Sequence, residues 1–196
     1  QLVNGLTLGS LYAVLAIGLT LVFGVLNIIN MAHGGIFMIG AFVGLFMVTV
    51  FEANIFVAIL VAMLVGAILG YLLEFVALRP LRKKNVSHLA PLISTIGVSI
   101  FIESIALLVW GPQTRSFPPD FIGGLIDFGM FKISMVQIIG LGVSIVLMLI
   151  LNVLIKKTKI GKAIRAVSLS TETASLLGIN PTLVISVTVM LASALG

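Results

Sequence analysis

The chain contains no cysteine and carries very little charge. Without cysteine it has no disulfide framework and no thiolate metal site. Charged residues make up 9% of its 196 residues and apolar ones 60%. A soluble domain carries about 25% charge, and the mean hydropathy here is +1.32. The composition therefore predicts an all-α, polytopic transmembrane helix bundle. No polar segment is long enough for a separate soluble domain, so residues 1–196 are read as one membrane domain. The only histidines are His33 and His88. Paired carboxylates, a His-x-x-x-His spacing and a nucleophile–base constellation are all missing, which argues against an intramembrane enzyme.

Acidic and basic residues are absent until Glu52. As one helix, residues 5–50 would be about 69 Å long, more than twice a hydrocarbon core of about 30 Å. The run must break, and Asn27-Ile28-Ile29-Asn30-Met31-Ala32-His33-Gly34-Gly35 marks the place. Amides and imidazoles are costly in lipid, so they should face protein, water or a passing solute. Asn27, Asn30, His33, Gly34 and Gly35 are thus candidates for a translocation path, with Phe37 and Met38 offering an apolar wall. The alternative is that these groups hydrogen-bond the break and stabilise the bundle.

Spans are predicted near 3–26, 31–50, 55–78, 89–110 and 133–155, with a sixth starting at 183. The bundle thus has about five complete spans plus a truncated sixth. The last run stops at Gly196, short of the roughly 20 residues a span needs. The chain also starts at Gln1, so a fragment of a longer protein is expected. No basic n-region precedes the first apolar stretch, so a cleaved signal is not expected. Arg79, Arg82, Lys83 and Lys84 form one basic cluster, and Lys156, Lys157, Lys159, Lys162 and Arg165 form another. This is positive-inside patterning rather than a nucleic-acid face, and it places both loops in the cytoplasm. Three spans before Arg79 put the N-terminus outside; a re-entrant 31–50 would put it inside. The external loop, rich in Gly, Pro and Phe over 111–131, should fold onto the membrane surface.

Small and polar residues recur at helical spacing within the spans. They are Gly5, Gly9, Ala13, Ala16, Thr20 and Gly24 in the first, and Ala58, Ala62, Gly66, Gly70 and Glu74 in the third. Thr95, Ser99 and Glu103 follow in the fourth, and Gln137, Gly140, Ser144 and Asn152 in the fifth. In lipid such stripes mark close helix–helix contact. Glu74 lies near Arg79 and Arg82 and is expected to snorkel or pair at the interface. Glu103 is expected to be a buried hydrogen-bonded group or a solute- or proton-linked one.

The inside loop 156–182 holds a short helix at about 171–177. Ser170 or Thr171 is its N-cap, Glu172 lies in its first turn, Gly178 suits the C-terminal turn and Pro181 is the stop. With Ala174, Leu176 and Leu177 exposed, it would plug a groove on a soluble partner. An amphipathic helix on the membrane surface is the other reading.

Glu172-Thr173-Ala174-Ser175-Leu176-Leu177-Gly178 resembles the Glu-Ala-Ala-x-x-x-Gly coupling loop of ABC-importer permeases, with Thr in place of the middle Ala. Leu15–Gly24, running into Asn27–Gly35 and Phe37–Ala41, resembles the H-type permeases of branched-chain amino-acid ABC importers. The similarity extends over essentially the whole chain. Permeases for urea and short amides share the Asn-Met-Ala-His-Gly pattern, so that cargo is the alternative within the family.

The resemblance implies a multi-pass inner-membrane protein that transports and is not an enzyme. It also implies an M-type permease partner, two ATPase subunits and an extracytoplasmic substrate-binding protein. The chain has no Gly-x-x-x-x-Gly-Lys-Ser/Thr phosphate loop. ATP and magnesium would belong to the ATPase subunits, with no cofactor in this chain. Glu172, Ala174, Leu177 and Gly178 would form the ATPase coupling site, and Asn27, Asn30, His33, Gly34, Gly35 and Glu103 the path. The rival outside this class is a proton-coupled carrier relaying through Glu103, Glu74 or His33.

Overall fold

The computed structural model describes residues 2–26, 28–84, 89–115, 125–127 and 132–195. Asn27, His88 and most of the external loop lie outside the described residues. Helix α1 (Leu2–Leu26) ends at the expected break, and α2 (His33–Thr49) resumes the apolar run. Helix α3 (Ile55–Leu73) continues through a π-helical turn, Glu74–Leu78, into α4 (Arg79–Lys83). Helix α5 (Leu89–Trp110) follows. A two-stranded antiparallel hairpin, β1 (Leu125–Asp127) and β2 (Lys132–Ser134), then leads into α6 (Met135–Lys157). The chain continues through α7 (Lys159–Leu169) and α8 (Thr171–Leu176) to α9 (Pro181–Leu195).

Among the described residues, four helical stretches are long and apolar enough to cross a membrane: Leu8–Leu26, Ile55–Arg82, Leu89–Trp110 and Ile138–Lys157. Helices α2 and α9 are apolar but shorter, at 17 and 15 residues.

Cross-helix contacts fix the directions. Met31 meets Thr95, Gly35 lies beside Ile102, and Phe42 stacks on Trp110 with centroids 4.9 Å apart. Helices α2 and α5 therefore run parallel. Gly66 and Gly70 meet Ser193 while Glu74 meets Ser186, so α3 and α9 run antiparallel. Leu21, Val22 and Val25 at the end of α1 pack with Ile164 and Val167 of α7 and Ala174 of α8. Ala32 and Ile36 at the start of α2 pack with Leu73 and Leu78. The α1–α2 break thus shares one end of the bundle with both basic clusters, and α1 starts at the opposite end. Three helices thus run back and forth before Arg79, with the α1–α2 break at the end that carries the basic clusters.

Glycine makes the α9 contacts possible. A Cβ on Gly66 would lie 2.5 Å from the Ser193 carbonyl oxygen, and one on Gly18 2.9 Å from that of Ala192. One on Gly70 would overlap the Ser193 side chain. Only helices stripped of side chains at these points approach so closely. The stripe on α3 is therefore a packing seam, as expected. The α1 stripe departs from expectation. Gly5, Gly9, Ala16, Thr20 and Gly24 are exposed, and α1 packs instead through Val14, Gly18, Leu21, Val22 and Val25. Small residues permit close approach but do not compel it, and Leu and Val serve equally well against lipid or protein.

Helix α7 was not foreseen within the 156–182 loop. Thr158 caps it by accepting from Gly161 N at 3.0 Å, and Gly161, Ile164 and Val167 form its buried face. A Cβ on Gly161 would overlap the Leu154 and Ile155 carbonyls, so the α6–α7 elbow needs glycine there.

Candidate transport path and coupling helix

The break is built from backbone hydrogen bonds to polar side chains. Asn30 Oδ1 accepts from Ala32 N at 3.1 Å, and Asn30 O accepts from His33 N at 3.3 Å. Thr95 Oγ1 accepts from Met31 N at 3.3 Å while donating to Leu92 O at 2.9 Å. Asn30, His33 and Thr95 are all at most 2% exposed. The buried Asn30 Nδ2 and both ring nitrogens of His33 have no hydrogen-bond partner. The imidazole packs against α1, where a Cβ on Gly18 would lie 3.3 Å from Nε2. Asn30 is thus partly committed to the turn, and the His33 ring is buried against α1 beside Gly18 and the Leu15 backbone.

The other path candidates scatter. Gly35 is buried against Ile102 and Ser99 of α5. Gly34 is exposed and has open space around it. Glu103 is exposed, against expectation, and accepts from Ser99 Oγ at 2.9 Å on its own helix. The two residues lie about one helical turn apart on the same helix, so the bond forms without burial. Glu74 pairs as expected but does not snorkel. Its side chain is fully buried, accepting from Arg82 Nη2 and from Ser186 Oγ, each at 2.8 Å. Phe37 lines an open cleft of about 260 Å³ between α1, α2, α3, α6 and α9; Met38 does not.

Helix α8 keeps the expected caps. Ser170 Oγ accepts from Thr173 N at 3.1 Å. Gly178 has φ +79°, with Gly178 N donating to Ser175 O and Ile179 N to Ala174 O, each at 3.0 Å. These two bonds form a Schellman closure, which the left-handed glycine permits. Asn180 Oδ1 then caps α9 by accepting from Leu183 N at 3.3 Å.

Ala174 is the correction here. It is 1% exposed, packed into the core with Ile164 and Val167 rather than facing outward. One side of a single-turn helix must anchor it, and Ala174 occupies that side. Glu172, Leu177 and Gly178 remain exposed, as does Leu176 at 88%.

Over residues 1–196 the chain matches the family model described as the branched-chain amino acid transport system / permease component. The chain belongs to this permease family. Among curated relatives, the high-affinity branched-chain amino acid transport system permease protein BraD of Pseudomonas aeruginosa is 35% identical over 215 residues. The corresponding LivH of Escherichia coli is 36% identical over 208 residues. Each alignment covers 100% of this chain and 67% of the relative. A probable LivH from Methanocaldococcus jannaschii is 28% identical over 179 residues, covering 87% of this chain and 55% of its own. No solved structure matches.

The permease is a transport component, not an enzyme. Several of its site-building residues escape sequence reasoning. Thr95 was visible only as part of a stripe, and its bond to Met31 joins residues 64 positions apart. Ser186 carries no local signal at all. Leu169, 89% exposed beside α8, could have been found as an apolar residue at the end of an otherwise basic helix.

Proposed function

We propose that the chain is a membrane-spanning permease subunit of an ATP-driven ABC importer that carries branched-chain amino acids across the inner membrane. It would work with an M-type permease, two ATPase subunits and an extracytoplasmic binding protein. ATP and magnesium would stay on the ATPase subunits.

The observation that carries the coupling reading is the two-sided build of α8. Ala174 anchors the helix in the core, while Leu169, Leu176 and Leu177 stand almost fully exposed around Glu172. Exposed leucines on a capped helix at the basic end of the bundle fit the apolar groove of a soluble partner. Through the short elbow to α9, movement of α8 would bias the bundle between outward- and inward-open states.

His33 is the leading path residue, because its ring is buried at the α1–α2 break against Gly18 and Leu15 of α1. A zwitterion with an apolar tail needs transient polar partners of this kind. Glu74 and Glu103 bond to Ser186 and Ser99 respectively, an arrangement that favours structural roles over a proton relay.

Gly178→Arg tests the coupling reading. It should abolish transport and ATPase stimulation while the chain stays in the membrane. If transport and capture of the ATPase subunits both survive, the reading fails. Uptake by His33→Ala, corrected for membrane level, tests the path; normal uptake removes His33 from it.

A further inference from the structure

Helix α3 runs on through the π-helical turn into α4, and the combined stretch Ile55–Arg82 is 28 residues long. With Ile55 at the outer boundary, a rise of about 1.5 Å per residue brings Phe75 to about 30 Å, the far edge of the hydrocarbon core. Arg79 lies one turn further on, in the headgroup layer beside the basic loops. Positive-inside patterning makes that the cytoplasmic leaflet. Tyr71, Phe75 and Arg79 follow at steps of four and stack on one face of this stretch. The Tyr71 and Phe75 ring centroids are 6.0 Å apart, and Arg79 Cζ lies 5.6 Å from the Phe75 centroid, within cation–π range. The arginine thus reaches back along the helix towards the membrane instead of out to water.

The guanidinium is short of a counter-charge. Glu74 is the one acidic residue between Glu52 and Glu103 in the sequence, and its oxygens are taken by Arg82 Nη2 and Ser186 Oγ. Arg79, Arg82, Lys83 and Lys84 therefore carry positive charge in excess. Arg79 Nε is buried without a hydrogen-bond partner, while the residue as a whole is half-buried. Its open edge is left to meet an acceptor from outside the chain. Below it the face is apolar and uncovered among the described residues: Phe75 is 50% exposed, and Tyr71, Leu72 and Val76 are exposed around it. An occupant must therefore be anionic at the Arg79 level and apolar below it. Arginine suits phosphate oxygens in particular, because its planar fork bonds them two at a time.

We propose that Arg79, seated over Phe75, binds the phosphate of an anionic phospholipid in the cytoplasmic leaflet, with the acyl chains lying along Leu72 and Val76. Arg82 and Lys84 add to the attraction without touching the phosphate. The bound lipid would brace the π-helical turn next to the Glu74–Ser186 bond that ties this turn to α9. The site depends on membrane depth and charge alone and is independent of the cargo.

The test places the assembled transporter in bilayers of equal parts phosphatidylglycerol and phosphatidylcholine, extracts it in neutral detergent and counts the retained lipids by mass spectrometry. Phosphatidylglycerol should be retained about fivefold over phosphatidylcholine, the effect of one basic residue at an anionic surface. Arg79→Gln should bring the ratio near parity. Lys157→Gln, exposed in the other basic cluster, should leave it unchanged. Parity in the parent, as would follow if a protein partner covered this face, overturns the proposal. An unchanged ratio in Arg79→Gln does the same, and an equal loss in Lys157→Gln assigns the preference to diffuse surface charge instead. Saturating inorganic phosphate separates the two sources of the anion. It should leave the retained phosphatidylglycerol in place, and displacement would assign the site to a soluble phosphate. If Arg79→Gln does not reach the membrane, Phe75→Leu decides. It removes the ring under the guanidinium but keeps an apolar side chain on the exposed face, and the ratio should fall about threefold. An unchanged ratio there overturns the site.

Discussion

Glu74 and Ser186, 112 residues apart in sequence, share a 2.8 Å hydrogen bond inside the bundle. The second carboxylate oxygen takes Arg82 at the same distance, and no part of the Glu74 side chain is exposed. The bond ties the π-helical turn after α3 to α9, the helix that follows α8. Insertions of this kind in helices often mark functional positions.

Removing one partner of a buried charged pair costs more than the pair itself is worth. Glu74→Ala leaves Arg82 without its acceptor, while Ser186 can still donate to Thr182 O at 3.0 Å, and should destabilise the chain by about 3 kcal/mol. Glu74→Gln keeps an acceptor for Ser186 and should lose about 1–2 kcal/mol. Thermal unfolding in detergent measures both, and a larger loss for Gln than for Ala would contradict the geometry.

The glycine seam gives a contrast on one residue type. Gly66→Ala pushes a methyl into the Ser193 carbonyl and should destabilise by about 1–3 kcal/mol, the usual range for overpacking. Gly24→Ala meets nothing within 4 Å. It should be neutral or stabilising by up to about 1 kcal/mol through helix propensity. Equal losses at the two sites in the same unfolding assay would refute the α3–α9 contact.

At the break, Asn30→Ala removes the acceptor of Ala32 N, and Thr95→Val that of Met31 N. The first should cost about 1–2 kcal/mol by leaving the buried Ala32 N–H unpaired, and the second less, about 0.5–1 kcal/mol, because the Met31 N–H is only partly buried. The double variant should exceed either single one, since both act on consecutive amides. Hydrogen exchange at Met31 and Ala32 reads the effect directly; unchanged protection in both single variants would remove these bonds from the account.

Two neighbours in α8 should behave in opposite ways. Ala174→Leu overpacks the α7–α8 core and should lower stability by about 1–3 kcal/mol. Leu176→Ser alters an exposed surface and should stay within about 0.5 kcal/mol of the parent. It should nonetheless reduce ATPase capture, which pull-down from membranes measures. A fold defect in Leu176→Ser would show that this leucine is not a docking residue.

Local chemistry was readable wherever one short stretch holds both the cause and the effect. Ser170, Gly178 and Pro181 bracket α8 almost to the residue, because caps and stops act over three or four positions. Glu74 was readable as a paired carboxylate because Arg82 is two turns away. Its second partner was not, since only the tertiary fold brings Ser186 alongside. Which face of α1 is buried was misread because lipid removes the usual contrast between apolar inside and polar outside. Helix α7 was missed because its lysines and arginine drew attention to charge, hiding the Gly161, Ile164 and Val167 spacing. The inward turn of Ala174 follows from a core assembled by four other helices, which no local pattern encodes.

The elbow between α8 and α9 has almost no slack. Its closing turn is bonded through Ile179, Asn180 caps the next helix, and Pro181 already belongs to α9. Such a joint is sensitive to length more than to side-chain identity. One residue inserted in the first turn of α9 would rotate the rest of that helix by about 100° about its axis. Ser186 would leave Glu74 and Ser193 would leave Gly70 in the same step, so an indel that a surface loop would tolerate should unseat the whole seam here.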